Sequence, residues 1–584
     1  PWGSRRLGLA GALALCGPLA GCSSCDDSGG GPAASASAAA VDMAPVPAPK
    51  GLVAELFVSS PGSTWKKLRD TSGAVILPQS YGVLLTTLLG LPPLAADAFD
   101  DSATTTGAVA LDEASQWRAA LAIKLVSGRE FIARLTTGSK AAYEPKEHGA
   151  GITLLTPKAG KASDAIALAV LGNTLLVARS PEGITLLGPY VAKTLPPKKP
   201  PAPGAVAYVP SAALRGPLAG EIKKRWKAAR EELSNTDQNN RKKHGGRAPD
   251  FGDPQAALAV MTGSVDGWVK LLEGADHAQL ELRSENDVVR LHLQVDPGQS
   301  TDLQKWVQEL AVGDASPLLS LPESAAIGVV SRSSMQQRTE SAQSSADALG
   351  RLFGDRLNAK DKDRVANALK ELAEARGDEA VFGYVRGADS AGLVYRGSTL
   401  DPRRLDAAAK SLVGLLRLPA FEEPLQQFVG QFSIKQSSAK IPGLPNKAER
   451  VLLSIKPSGM RMAKDPKGEV SAAPRPVELM WTSADGVTHG AMTTDAPPLL
   501  VAMVAAETAK TWAGVPATAT GVSRIGKEVG FAVAVRPQIL LGNAPLQSPG
   551  LATIALGRSG KLGVLDITAD QAALRFFMQR AMTQ

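Results

Sequence analysis

One pattern returns six times in this chain: two apolar-rich, alternating runs flank a short turn of Gly, Asn, Asp or Ser. Alternation bounded by turn residues predicts a β-hairpin with one apolar face, and that face needs a cover. The first three stretches are Ala119 to Leu135 around Ser127-Gly128, Ala165 to Ala178 around Gly172-Asn173, and Ala278 to Val295 around Asn286-Asp287. The others are Val381 to Tyr395 around Gly387 to Ser390, Val477 to Met492 around Asp485-Gly486, and Ala552 to Ile567 around Ser559-Gly560. Amphipathic segments between them supply the cover. The predicted class is therefore α+β, antiparallel hairpins packed against amphipathic helices.

Helix starts are marked by capping chemistry. Ser180-Pro181, Asp401-Pro402 and Asp495 ahead of Pro497-Pro498 place a capping oxygen beside prolines tolerated only in a first turn. Thr301 with Gln304, and Thr568 with Gln571, read as capping boxes ahead of two similar terminal helices. Four single strands, 54–58, 205–209, 325–330 and 531–535, run straight into a helix start. Opener, hairpin, single strand, hairpin with capped helix, second opener, last hairpin and terminal helix thus occur twice in order. This predicts two similar halves, 51–312 and 318–584. The first half alone carries inserts, a Pro-rich extended connector at 196–204 and a polar mobile loop at 235–254. Leu56, Val58, Ile123, Leu125, Val170 and Leu176 are the expected core of the first half. Ile327, Val329, Val381, Val385, Leu479 and Val533 are the expected core of the second.

All three cysteines, Cys16, Cys22 and Cys25, lie in the first 25 residues, so the body has no disulfide, thiolate nucleophile or Cys-based zinc site. Around them, Arg5-Arg6 precede a short apolar run, residues 7–15, that is too brief to span a bilayer. The run ends in Leu19-Ala20-Gly21-Cys22, which resembles the lipobox of bacterial lipoproteins. That resemblance implies a signal peptide at 1–21, cleavage between Gly21 and Cys22, and acylation of Cys22. Ser23 stands where an Asp would imply inner-membrane retention, so the resemblance implies the outer membrane, on its periplasmic or surface face. Residues 22–50 are rich in Gly, Ala, Ser and Pro and are expected to form a disordered tether. The body also resembles uncharacterised exported bacterial proteins in the opener Leu321-Pro322-Glu323-Ser-Ala-Ala, a likeness that carries no activity.

The formal charge is +8, and removing Arg5 and Arg6 with the leader leaves 8 − 2 = +6, too dilute over this length for a nucleic-acid binder. The basic residues concentrate in one stretch. Lys223, Lys224, Arg225, Lys227, Arg241, Lys242 and Lys243 surround Trp226 and are candidates for contact with an anionic lipid, lipopolysaccharide or wall polymer. As a solvated helix face, the same stretch offers ordinary i,i+4 pairs such as Glu221 with Arg225.

Local catalytic motifs fail on inspection. The five histidines, His148, His244, His277, His292 and His489, have no spacing that builds a metal site on one helix, and His292 and His489 are expected on the solvent face of strands. Ser63-Thr-Trp-Lys66 matches a Ser-x-x-Lys nucleophile, but so does Ser437-Ser-Ala-Lys440, and the companion elements are missing. Gly557 to Lys561 lacks the spacing of a phosphate loop and reads as a hairpin turn. Asp361-Lys-Asp363 lacks the Gly and Glu of a calcium loop. No cofactor is implied. The expectation is a non-catalytic, lipid-anchored envelope protein that binds a protein partner or an apolar ligand. The alternatives are an envelope hydrolase whose site is assembled only in three dimensions, or a periplasmic lipid carrier with an apolar cleft.

Overall fold

The computed structural model describes residues 42–583 apart from 74–76, 139–140, 150, 159–165, 244–253, 286, 387–390, 430, 457–475, 508–509 and 542–549. The protein is mixed α+β, built on a large antiparallel sheet, and no helix among the described residues is long and apolar enough to cross a membrane. Two compact units are present: one runs to Pro217 and takes in Gln279–Asp287, the other comprises Leu218–Ala278 and Val288–Gln584.

In the first unit, β1 (Leu52–Val58) runs into α1 (Pro61–Ser72) and α2 (Tyr81–Leu89), followed by β2 (Thr105–Leu111), β3 (Trp117–Lys124) and α3 (Gly128–Thr136). Then come β4 (Tyr143–Glu147), β5 (Ile152–Pro157), β6 (Ala167–Leu171), β7 (Thr174–Ala178), α4 (Pro181–Pro189), β8 (Ala205–Pro210) and the single turn α5 (Ser211–Ala213). The strands pair in the order β8-β1-β2-β3-β7-β6-β5-β4. Both sheet faces are covered. Ala108, Ala110, Ala120, Ala122, Ala169 and Ala178 lie under Ile184 and Leu187 of α4. Ile123, Leu168, Val170 and Leu175 lie under Leu85 of α2 and Phe131 and Leu135 of α3.

Helices α6 (Ala219–Lys243) and α7 (Pro254–Gly274) open the second unit, and β9 (His277–Glu285) lies mostly in the first. The second unit continues with β10 (Val288–Asp296), α8 (Thr301–Glu309), β11 (Ala325–Arg332), α9 (Met335–Phe353) and α10 (Ala359–Ala375). Next are β12 (Arg376–Arg386), β13 (Ala391–Thr399), α11 (Pro402–Leu415), α12 (Pro419–Val429), β14 (Gln431–Ala439), β15 (Ala448–Lys456), β16 (Val477–Ala484) and β17 (Val487–Thr493). The chain ends with α13 (Ala496–Ala505), α14 (Pro516–Ser523), β18 (Val529–Val535), α15 (Pro537–Leu540), β19 (Ala552–Ser559), β20 (Leu562–Asp570) and α16 (Gln571–Thr583). Pairing gives the order β10-β20-β19-β18-β11-β12-β13-β17-β16-β15-β14.

Several expectations are corrected. The stretch 119–135 is strand then helix, because Ser127 accepts a hydrogen bond from the Glu130 N–H and starts α3 while β3 pairs onward to β7. The capping residue ahead of α8 is Ser300 rather than Thr301, and Thr568 is still in β20 while Asp570 accepts the Ala573 N–H. Helix α6 continues through residues 235–243, where polar composition predicts a loop. Of the tether, residues 42–50 are described, and Val46 hydrogen-bonds Thr194 and packs on the first core.

The core expectation divides by sheet face. Ile123, Leu125, Val170, Leu176, Val381 and Val385 are buried. Leu56, Val58, Ile327, Val329, Leu479 and Val533 are only half-buried. Their strands instead bury the alternate positions, such as Phe57, Val330, Ala532 and Ala534.

Candidate functional site

Cys22 and Gly21 lie outside the described residues. Of the basic cluster, Lys223 pairs with Glu273 at 2.7 Å, Arg225 with Glu221 at 2.7 Å, and Lys224 stands 4.0 Å from Glu221. Lys227 is exposed on the same helix; Arg241, Lys242 and Lys243 continue the helical backbone, and their side chains are outside the described set.

The histidines correct the solvent-face expectation. His292 is buried with its Nδ1 2.7 Å from Asp566, and His489 is half-buried with a buried Nδ1 that has no hydrogen-bond partner. Ser63 donates to the Ser60 carbonyl at the start of α1, while Lys66 reaches Asp70 at 2.6 Å, so no Ser–Lys dyad forms. Among the described residues no cluster of His, Cys, Asp and Glu could hold a metal.

What the sheet of the second unit brings together is apolar. Antiparallel register fixes which residues share a face. On one face, three rows cross the strands. The first runs Leu293, Leu565, Leu556 and Phe531 to Ser331. The second runs Leu291, Ile567, Ile554, Val533, Val329, Phe382 and Tyr395. The third runs Val289, Ala569, Ala552, Val535, Ile327, Tyr384, Leu393 and Met492.

No residue in these rows is buried. Phe382, Leu393, Met492, Phe531, Ile554 and Ile567 are 38–46% exposed, and the rest are half-buried. Six side chains of roughly 200 Å² at that exposure leave on the order of 500 Å², before the half-buried neighbours are added. A contiguous apolar patch of that size is at the upper end of what monomeric proteins expose and makes this face the candidate site.

No family model, curated protein or solved structure matches the chain.

The opposite face explains why these large residues point outward. There Gly328, Val330, Val381, Gly383, Ala532, Ala534 and Ala555 meet Leu318, Leu321, Val522, Leu551 and Trp512, a bulky layer that leaves room only for small side chains. Trp512 is anchored by donating to the Ala325 carbonyl at 3.1 Å, and the buried Arg536 guanidinium lies 5.8 Å from its ring centroid. Arg536 also donates to the carbonyls of Glu323 and Ala325, and burial lowers its pKa to about 10.

Helices bound the open face. At one end Trp306 and Val307 of α8 approach Gly563, and at the other Val413 of α11 packs with Trp481. Between them the helices are tied side by side. Lys270 of α7 pairs with Asp302 of α8 at 2.9 Å, and Gln337 of α9 donates to the Glu309 carbonyl of α8. Arg338 of α9 donates to the Ala373 carbonyl of α10, and Arg404 of α11 pairs with Glu371 and Glu374 of α10. These helices leave the sheet at matching strand ends: α8 follows β10, α9 follows β11, α10 precedes β12 and α11 follows β13.

The rows hold no carboxylate, ammonium, guanidinium or imidazole. Their ionisable groups are two phenols, and burial raises the pKa of Tyr395. The sheet's backbone groups are spent in the ladder. Such a surface can take up hydrocarbon and offers little to a polar ligand. Sequence reasoning missed it because it places the larger β-branched residues of each strand inside. The readable signal was the Ala and Gly at alternate positions of β11 (Ala326, Gly328) and β18 (Gly530, Ala532, Ala534).

Proposed function

We propose that the protein is a non-catalytic, lipid-anchored cell-envelope protein that binds an apolar ligand on the open sheet face of its second unit. The observation that carries this is the shared exposure of Phe382, Leu393, Met492, Phe531, Ile554 and Ile567 on one face. The envelope location and the acyl anchor at Cys22 rest on the lipobox alone, with Gly21 as the residue before the cut. The basic face of α6, from Lys223 to Lys227, is the part of this proposal that meets an anionic surface. A protein partner is the weaker occupant, because a protein interface carries about one hydrogen bond per 100–200 Å² and these rows offer almost none.

The proposal includes two similar halves, 51–312 and 318–584. Its support is strand order: β8-β1-β2-β3-β7-β6-β5-β4 and β18-β11-β12-β13-β17-β16-β15-β14 correspond strand by strand with numbers ten apart. The helices fall alike, with α3 and α11 after the third strand, α4 and α13 after the seventh, and α8 and α16 after the tenth.

The test is fluorescence of an environment-sensitive apolar dye added to the full chain. Binding that drops at least ten-fold in Phe531→Asp with Ile554→Asp, but not in Leu94→Asp in the first unit, supports the reading. Undiminished dye binding in a folded double variant overturns it.

A further inference from the structure

We infer that the occupant of this face is a membrane lipid with two acyl chains, lying across the strands along the row from Leu291 to Tyr395. The inference rests on the proposed binding face and adds the class of ligand. Its first support is chemical: an alkyl chain needs no hydrogen bonds and the rows supply none beyond Ser331 and two phenols.

The second support is length. From β10 to β13 that row crosses six inter-strand spacings of ~4.8 Å, roughly 29 Å in all. One acyl chain occupies roughly 15 Å, half the hydrocarbon thickness of a bilayer. A single-chain fatty acid therefore fills half the row, and two chains splayed from one headgroup fill it.

The third is shape. The helices from α8 to α11 line one side along the strand ends, and α11 covers Trp481, which continues the row beyond Tyr395 and Gly490, so a chain laid across the strands has a floor, a wall and one closed end.

The experiment uses the full chain and vesicles of phosphatidylglycerol carrying a phospholipid with a photoactivatable diazirine in one acyl chain. After irradiation, adducts are located by mass spectrometry. The expected result is at least ten-fold more label on peptides of β12, β18, β19 and β20 than on the exposed apolar residues Leu94 and Val126, and loss of that label in Phe382→Asp with Ile554→Asp. Thermal melting confirms that the variant is folded, and the wild-type adduct map stands as a readout in its own right. Label scattered evenly over the chain overturns the inference. Equal labelling by a single-chain diazirine fatty acid at twice the molar ratio overturns the two-chain assignment. If the apolar dye binds this face while no phospholipid label reaches it, the lipid inference falls and the proposed apolar-ligand reading stands; if neither binds, both fall.

Discussion

The ring of Trp512 fills the space a side chain on Gly328 would need: a Cβ built there would stand 2.8 Å from Trp512 Cη2 and 2.6 Å from Leu321 Cδ1. Leu321 can rotate aside, but the indole is pinned by its bond to the Ala325 carbonyl. Gly328→Val therefore overpacks a close-packed site and is expected to cost about 1–3 kcal/mol. Urea unfolding of the full chain checks this, and in a Trp512→Ala background the same Gly328→Val change should cost less than it does in the native chain, because the overlap disappears.

His489 carries a pH dependence. Burial first, and the Arg396 charge second, depress its pKa from 6.5 to about 4. The unfolded chain thus binds this proton between about pH 6.5 and 4 while the folded chain does not, so the contribution is complete above pH 6.5 and is lost as pH falls through that window. Discounted for partial solvent access, it amounts to about 2 kcal/mol. His489→Gln should flatten stability between pH 6.5 and 4. An unchanged slope in the variant shows the imidazole is not the group titrating.

Much of the chain was legible because local chemistry and tertiary structure agree. The turns at Gly172-Asn173, Asp485-Gly486 and Gly560 join β6 to β7, β16 to β17 and β19 to β20, with Gly172, Asp485, Gly486 and Gly560 at positive φ. Strands β1, β8, β11 and β18 run directly into helix starts as their sequences predict. What was illegible depends on distant partners. Gly128 reads as a hairpin glycine, yet its constraint is the Gly172 carbonyl oxygen, 1.9 Å from where a Cβ would sit. The open face was only half legible for the same reason: the small residues flanking Ile327 and Val533 can be read in the sequence, but nothing local says that Trp512 is what occupies their side.

Asp401 offers a local test of helix initiation. Its Oδ1 accepts the N–H groups of Arg403 and Arg404, each at 3.0 Å, ahead of Pro402 in the first turn of α11. Asp401→Ala leaves those two donors to water and should cost about 1 kcal/mol, with Asp401→Asn recovering most of it. Because α11 packs against Trp481, the loss should also appear as a change in tryptophan fluorescence on heating.

The assignment of faces can be tested on two adjacent residues of one strand. Val330 is fully buried under the Trp512 layer, whereas Val329 lies in the open row between Val533 and Phe382. Val330→Ala removes buried methyls and leaves a cavity that β11, held on both sides, cannot collapse, so the expected cost is about 2 kcal/mol. Val329→Ala removes half-exposed surface and should cost under about 1 kcal/mol. For apolar binding the order reverses: Val329→Ala should weaken dye or lipid uptake, while Val330→Ala should leave it unchanged wherever the protein is folded. Equal stability losses at the two positions, or binding loss confined to Val330→Ala, would mean that the larger residues of this strand face the core after all.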